Sequence, residues 1–277
     1  MTNSQTAREM RGNPNFSAIK GKQQIAWGSG DYARIGVTLQ VTGENLCEAM
    51  DLRAGQSVLD VAAGNGNVTL AAARRFCDVV STDYVETLLE QGQVRAQAEK
   101  MAVEFMFADA EDLPFADNRF DNVVSTFGVM FAPDQATCAR EMMRVCRPGG
   151  KIGMANWTPS GFIGQLFKII GQYMPPPAGV SSPALWGTPE FVERHFAAAT
   201  SIAYTSRHFT FRYPSPQYWV DLFRNYYGPL HKAFEALDDA HCDALENDVL
   251  GLIGSLNRSG DETMVLDSEY LEVVVTR

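Results

Sequence analysis

With 277 residues, 45% of them hydrophobic, the chain has enough apolar material for one large α/β domain, and 16 Phe, 9 Tyr and 4 Trp can furnish a pocket. Its formal charge is −10, from 23 basic and 33 acidic residues, and no Lys/Arg stripe offsets it. That balance argues against a nucleic-acid partner, which needs a basic face, and favours small neutral or cationic ligands.

Residues 1–22 are polar and without a period, and they read as a flexible arm with no apolar signal core. No apolar run is long enough to span a membrane, so the expected location is the cytoplasm. The five cysteines are scattered, with no CxxC pair, and read as small core residues of a reducing compartment rather than metal ligands. TLQVTGENLCEAM (38–50) suggests a helix, and AGQ (54–56) breaks the chain.

An alternation follows. SVLDVA (57–62), DVVSTD (78–83), VEFMFA (103–108), the start of FDNVVSTFGVMF (120–131) and KIGMANW (151–157) are predicted strands. NVTLAAARRF, ETLLEQGQVRAQAEKM and QATCAREMMRVCRPGG are the helices between them. This rhythm predicts right-handed crossovers and a parallel sheet covered on both faces, with ligands at the carboxyl ends of the strands. After Trp157 the rhythm changes. GFIGQLFKIIGQYM is helical, Thr188 and Pro189 open another helix, 200–213 is a long strand, and 215–237 and 242–258 are amphipathic helices. Residues 264–277 form a final edge strand. Residues 158–277 complete the domain begun by a 23–157 core, with the helices as a lid over the ligand edge.

Three features converge on one sheet edge. In VLDVAAGNGNV, Gly64 and Gly66 let backbone approach a ligand at a strand-to-helix turn, although Ala62 stands where nucleotide-binding loops place their first glycine. Asp83 ends the second strand at the spacing from Asp60 that suits a carboxylate accepting both ribose hydroxyls. In ADAEDLPF, Asp109 leaves the third strand at the same edge. Its carboxylate can accept from an exocyclic amine and the Ala110 N–H can donate to a ring nitrogen, with Tyr84 and Val85 as an apolar wall.

In order and spacing, VLDVAAGNGNVTL, STDY, FADAEDLPFADNRFDNVVSTFGVMFAPD and REMMRVCRPGGKI resemble class I S-adenosylmethionine-dependent methyltransferases, on the branch of the quinone C-methyltransferases. The resemblance covers about residues 25–157. It implies a doubly wound, mostly parallel seven-stranded sheet, Rossmann-like, with a helical C-terminal insertion. It also implies that Asp60 and the Gly64–Gly66 loop hold the methionine end of S-adenosylmethionine, Asp83 the ribose, and Asp109 with Ala110 the adenine. Ser125 and Thr126 would lie beside the cofactor. A methionine tail needs no close pyrophosphate approach, which makes Ala62 tolerable.

Trp27 and Tyr32, in the segment that folds over the cofactor in this family, are the expected cover. Phe127, Met130 and Phe131 are candidates for the acceptor face, and Tyr226 or Tyr227 and His231 are the candidates on the lid. The expected activity is methyl transfer to a small, apolar or aromatic molecule. Alternatives are a nicotinamide-dependent oxidoreductase, disfavoured by the missing glycines, and a non-catalytic nucleotide-binding protein. No base is evident, no metal is expected, and the oligomeric state is not readable.

Overall fold

The centre of the sheet is β1 (Ser57–Val61), buried from Val58 onward because strands flank it on both sides and helices cover both faces. It pairs in parallel with β2 (Asp78–Asp83) on one side and β4 (Phe120–Thr126) on the other. Beyond them lie β3 (Val103–Phe107) and β5 (Cys146–Trp157), both also parallel. β7 (Met264–Thr276) runs antiparallel to β5 and to β6 (Ser201–Tyr213), which gives the order β3-β2-β1-β4-β5-β7-β6. This computed structural model describes residues 14–277.

Side chains alternate across the strands. Val58, Val79 and Val124 pack against α3 (Gln40–Ala49) and α4 (Asn67–Ala73), while Leu59, Val61 and Val123 join the core that contains α6 (Gln135–Val145). All seven residues of α4 are buried. Its alanines and Gly43 let α3 approach at backbone contact, since a Cβ on Gly43 would stand 3.0 Å from the Asn67 carbonyl carbon. Arg74 and Arg75 then tie the two helices together through Glu44 and Glu48.

Three sequence expectations need correction. Residues 264–277 are not an edge strand: β7 is interior, with buried residues on both faces, and β6 takes the edge with its alternating exposed positions. The helix expected over 215–237 is two, α9 (Pro216–Tyr226) and α10 (Gly228–Ala236). Pro229 has no N–H to bond back to the Asn225 carbonyl and its ring clashes there, so the first helix cannot run on through it, and Tyr227 is extended at ψ 107°. The supposed arm is helical from Phe16, as α1 (Phe16–Gly28) with Asn15 as N-cap; residues 1–13 of that expectation lie outside the described ones. α1 buries no residue completely and has no marked apolar face, so its sequence carries no period to read.

α7 (Phe162–Tyr173), α8 (Pro189–His195) and α11 (Asp239–Leu256) form where the sequence predicts. The Thr188 side chain caps α8 by accepting from the Phe191 N–H. Among the described residues no helix is long and apolar enough to cross a membrane.

Candidate functional site

Strand order reverses at β1, so the crossovers leaving β1 and β4 diverge and open a crevice at their carboxyl ends. A cleft lies there, with about 870 Å³ of free space including its mouth. Its floor is the loop after β1. Ala62, Gly64 and Gly66 all have positive φ (53°, 57° and 82°), which turns the chain sharply before α4 begins. The Ala63 N–H is held by the Thr82 carbonyl at 2.9 Å and the Gly64 N–H by Asp83 Oδ2 at 2.8 Å, so β2 fixes the loop.

Asp83 is 5% exposed, and its other oxygen accepts from the Val85 N–H at 2.9 Å. Burial raises its carboxyl to about 6, against the lowering effect of the backbone N–H groups of Gly64, Val85 and Tyr84. Asp60 lies beneath the loop, fully buried, and does not line the cleft. Burial pushes it up to about 7 although Thr69 donates to Oδ2 at 2.5 Å, and Asp83 adds to the rise; Oδ1 has no partner.

The cleft brings together twelve of the sequence candidates: Trp27, Tyr32, Ala62, Gly64, Asp83, Tyr84, Val85, Asp109, Ala110, Thr126, Phe127 and Phe131. The others stand outside it. Asp60, Gly66 and Ser125 support its walls, Ser125 by donating to the Val61 carbonyl at 2.8 Å and accepting from the Val129 N–H. Met130 is a core residue with no exposed surface. Tyr226 stacks under the Arg34 guanidinium, 4.7 Å from its ring centre, and takes a hydrogen bond from that guanidinium. His231 packs on its own helix region, Nδ1 lying 3.0 Å from the Arg224 carbonyl and Nε2 3.1 Å from Glu235. Neither lines the cleft.

The cover also departs from expectation. The described lining residues come from the chain up to Pro133, and the C-terminal helices stand behind them, where the Tyr227 ring meets Trp27 at 5.5 Å and 79°. Trp27 also packs edge-on against Tyr32 (5.6 Å) and Phe131 (4.9 Å). Three polar tethers hold α1 over the opening. Gln24 donates to the Tyr84 carbonyl, Gln23 to the Phe131 carbonyl, and Lys20 bridges Asp109 (2.5 Å) and Glu111 (2.9 Å). Lys20 was hidden in a stretch without period. Asn65, inside the quoted loop, was legible but overlooked; it lines the cleft, and its buried Nδ2 has no partner.

A glycine-turned loop, a ribose-spaced carboxylate and a third carboxylate along one crevice define a nucleoside-binding Rossmann-like site. A protein-family model described as a methyltransferase domain matches residues 59–154. The chain belongs to the class I S-adenosylmethionine-dependent methyltransferases. An uncharacterized protein of Mycobacterium tuberculosis is 39% identical over 226 residues, covering 80% of this chain and 82% of that one. A demethylmenaquinone methyltransferase of Clavibacter sepedonicus is 37% identical over 135 residues, 47% of this chain and 55% of that protein. A solved putative methyltransferase from Bacillus halodurans matches with TM-score 0.59 and 20% identity, over 84% of this chain and 97% of its own. The YcgJ protein of Bacillus subtilis matches at 0.58 and 19%, over 85% and 98%, and both show the same fold.

The residues present fit S-adenosylmethionine. Asn65 Nδ2 is an orphaned donor in the wall beside the loop, where an acceptor such as a carboxylate would satisfy it. Gly64 leaves the turn without a Cβ, with nothing nearer than Tyr32 at 3.8 Å to where one would stand, and Asp83 retains lone pairs beyond its two backbone bonds.

Proposed function

We propose that this methyltransferase acts on a small, uncharged, largely apolar or aromatic acceptor bound beside Trp27, Phe127 and Phe131, with the cofactor in the other half of the cleft. The observation that carries this is the make-up of the cleft's lining. Its polar groups are few, the Gly64 turn, the Asn65 amide and the carboxylates of Asp83, Asp109 and Glu111 among them. The rest includes Trp27, Tyr32, Leu39, Phe127, Val129 and Phe131. Lys20 is the single cation among the described lining residues, and Asp109 and Glu111 already neutralise it. An anionic acceptor would find no counter-charge there.

In this reading Asp83 accepts from the ribose hydroxyls, the Ala62–Asn65 loop takes the methionine end, and Asp109 with Ala110 reads the adenine. Bound S-adenosylmethionine supplies an electrophilic methyl group. The chain's own task is to align the acceptor and exclude water, which can lower the barrier by several kcal/mol. The rings of Trp27 and Phe131 close the cleft against solvent. No histidine or cysteine lines it among the described residues, and the tyrosine hydroxyls of Tyr32 and Tyr84 are pushed up by burial, so they are donors rather than bases. Orientation is therefore the main source of rate.

The test has two arms. Calorimetry with S-adenosylhomocysteine should give binding that Asp83→Ala abolishes. Small-molecule extract, fractionated by polarity, should then support release of S-adenosylhomocysteine from S-adenosylmethionine in the apolar fractions. Turnover confined to anionic fractions overturns the acceptor class.

A further inference from the structure

The adenine end of the cleft carries more charge than reading an amine requires. Asp109 and Glu111 both point at one ammonium, that of Lys20, from a different part of the chain. Each carboxylate is also held by backbone. Asp109 Oδ1 accepts from the Glu111 N–H at 2.9 Å, and Glu111 Oε1 accepts from the Asp134 N–H at 2.7 Å, at the start of α6. The Glu111 side chain is 6% exposed and that of Lys20 is 24% exposed, so the cluster is largely shielded from water. Burial lowers Lys20, but the hydrogen bonds and charges of Asp109 and Glu111 outweigh it and hold the ammonium above its ordinary range.

Remove the ammonium and two carboxylates two residues apart in sequence face each other without compensation. The cheaper response falls on Asp109, because Glu111 is the more buried of the two and is anchored on α6. Asp109 would turn outward, away from its like-charged neighbour. With Lys20 in place, its carboxylate is gripped on both oxygens, and each oxygen keeps a lone pair. A fixed acceptor of this kind welcomes the 6-amino group of adenine and repels a 6-oxo group, whose lone pairs would face its own.

We propose that Lys20 is a positioning residue that sets purine selectivity: it fixes the Asp109 carboxylate so that an adenosyl cofactor is accepted and its 6-oxo analogue is refused. This rests on the assignment of Asp109 to the adenine. The role is distinct from holding α1 in place, which Gln23 and Gln24 share at two other points. Lys20 touches neither sulfur nor acceptor and acts through Asp109.

The experiment titrates the full chain with S-adenosylhomocysteine and with S-inosylhomocysteine, its 6-oxo counterpart, in wild type, Lys20→Met, Lys20→Arg and Asp109→Asn. Thermal melts confirm that each variant is folded. The wild type should prefer the adenosyl ligand by about tenfold or more. Lys20→Met should narrow the ratio by weakening the adenosyl ligand alone, and Lys20→Arg should keep most of it. Asp109→Asn should erase it, because an amide can present either a donor or an acceptor.

Suppose Asp109→Asn erases the preference while Lys20→Met weakens both ligands by one factor, or neither. Lys20 then serves only to anchor α1 and this proposal is wrong. If Asp109→Asn leaves the preference intact, or the wild type shows none, the adenine assignment fails and takes the proposal with it.

Discussion

A Cβ added to Gly128 would stand 2.1 Å from the carbonyl oxygen of Ala62 and 2.7 Å from its Cβ, so the loops leaving β4 and β1 meet with no room for a side chain. On either side of this contact are two non-glycine residues in the left-handed region, Ala62 at φ 53° and Phe127 at φ 60°. Phe127 is kept there by its ring, stacked on Trp157 at 4.0 Å and 8°. Backbone strain at the junction of the two loops is thus held by packing.

Gly128→Ala should therefore cost about 3 kcal/mol or more, since backbone rather than a flexible side chain must move, and should weaken S-adenosylhomocysteine binding. Ala62→Gly goes the other way. It releases about 1 kcal/mol of left-handed strain, partly offset by the unfolded-state entropy of glycine. Urea unfolding checks both, and wild-type stability in Gly128→Ala would refute the close approach.

Asp83 gives the cofactor site a pH dependence of definite sign. Its carboxyl titrates at about 6 without ligand, and only the ionised form accepts two ribose hydroxyls. Binding should be flat above that pH and should fall toward tenfold per pH unit below it, as a proton must first leave. Asp83→Asn should bind weakly at every pH and lose this slope. Calorimetry across the range from about pH 5 to about pH 8 decides it; a wild-type affinity that rises on acidification would contradict the assignment.

Asp60 makes a separate prediction, about stability. Its folded carboxyl lies at about 7, above the ordinary 3.8, so the folded state holds the proton more tightly than the unfolded chain. Stability from this group is complete at low pH and is lost as pH rises from about 4 to about 7. Asp60→Asn, a neutral isostere that can still accept from Thr69, escapes that loss. Its melting temperature relative to wild type should climb across this window and level off above it, with a ceiling of about 4 kcal/mol from the size of the displacement. A gap independent of pH would mean that the buried carboxylate has another route to compensation.

The polar lining of the cleft was legible because it is local. Gly64, Asp83 and Asp109 fall at or just past strand ends, and strand ends of a parallel sheet share one edge whatever the helices do. The cover was not legible, because it depends on contacts distant in sequence. Lys20 meets Asp109 across 89 positions, and Gln23 meets Phe131 across 108. α1 docks through polar tethers and Trp27 rather than an apolar stripe, so periodicity is blind to it. The place of β7 was missed for a related reason. VVV at 273–275 signals burial on both faces, but a strand at the end of the sequence invites an edge assignment that only the pairing with β6 corrects.

Among the described residues no histidine lines the cleft. The imidazole of His231 is engaged by the Arg224 carbonyl and by Glu235 on its own helix, and it does not line the cleft. His231→Gln should leave turnover on the active extract fraction within about twofold of wild type, with the same pH profile. Trp27→Leu should behave differently. It removes three edge-on aromatic contacts and leaves Gly64, Asp83 and Asp109 in place. If alignment and exclusion of water supply the rate, turnover should drop by about tenfold or more while S-adenosylhomocysteine affinity moves much less. A large loss with His231→Gln would instead point to a proton-transfer route through α10, and alignment would no longer account for the rate.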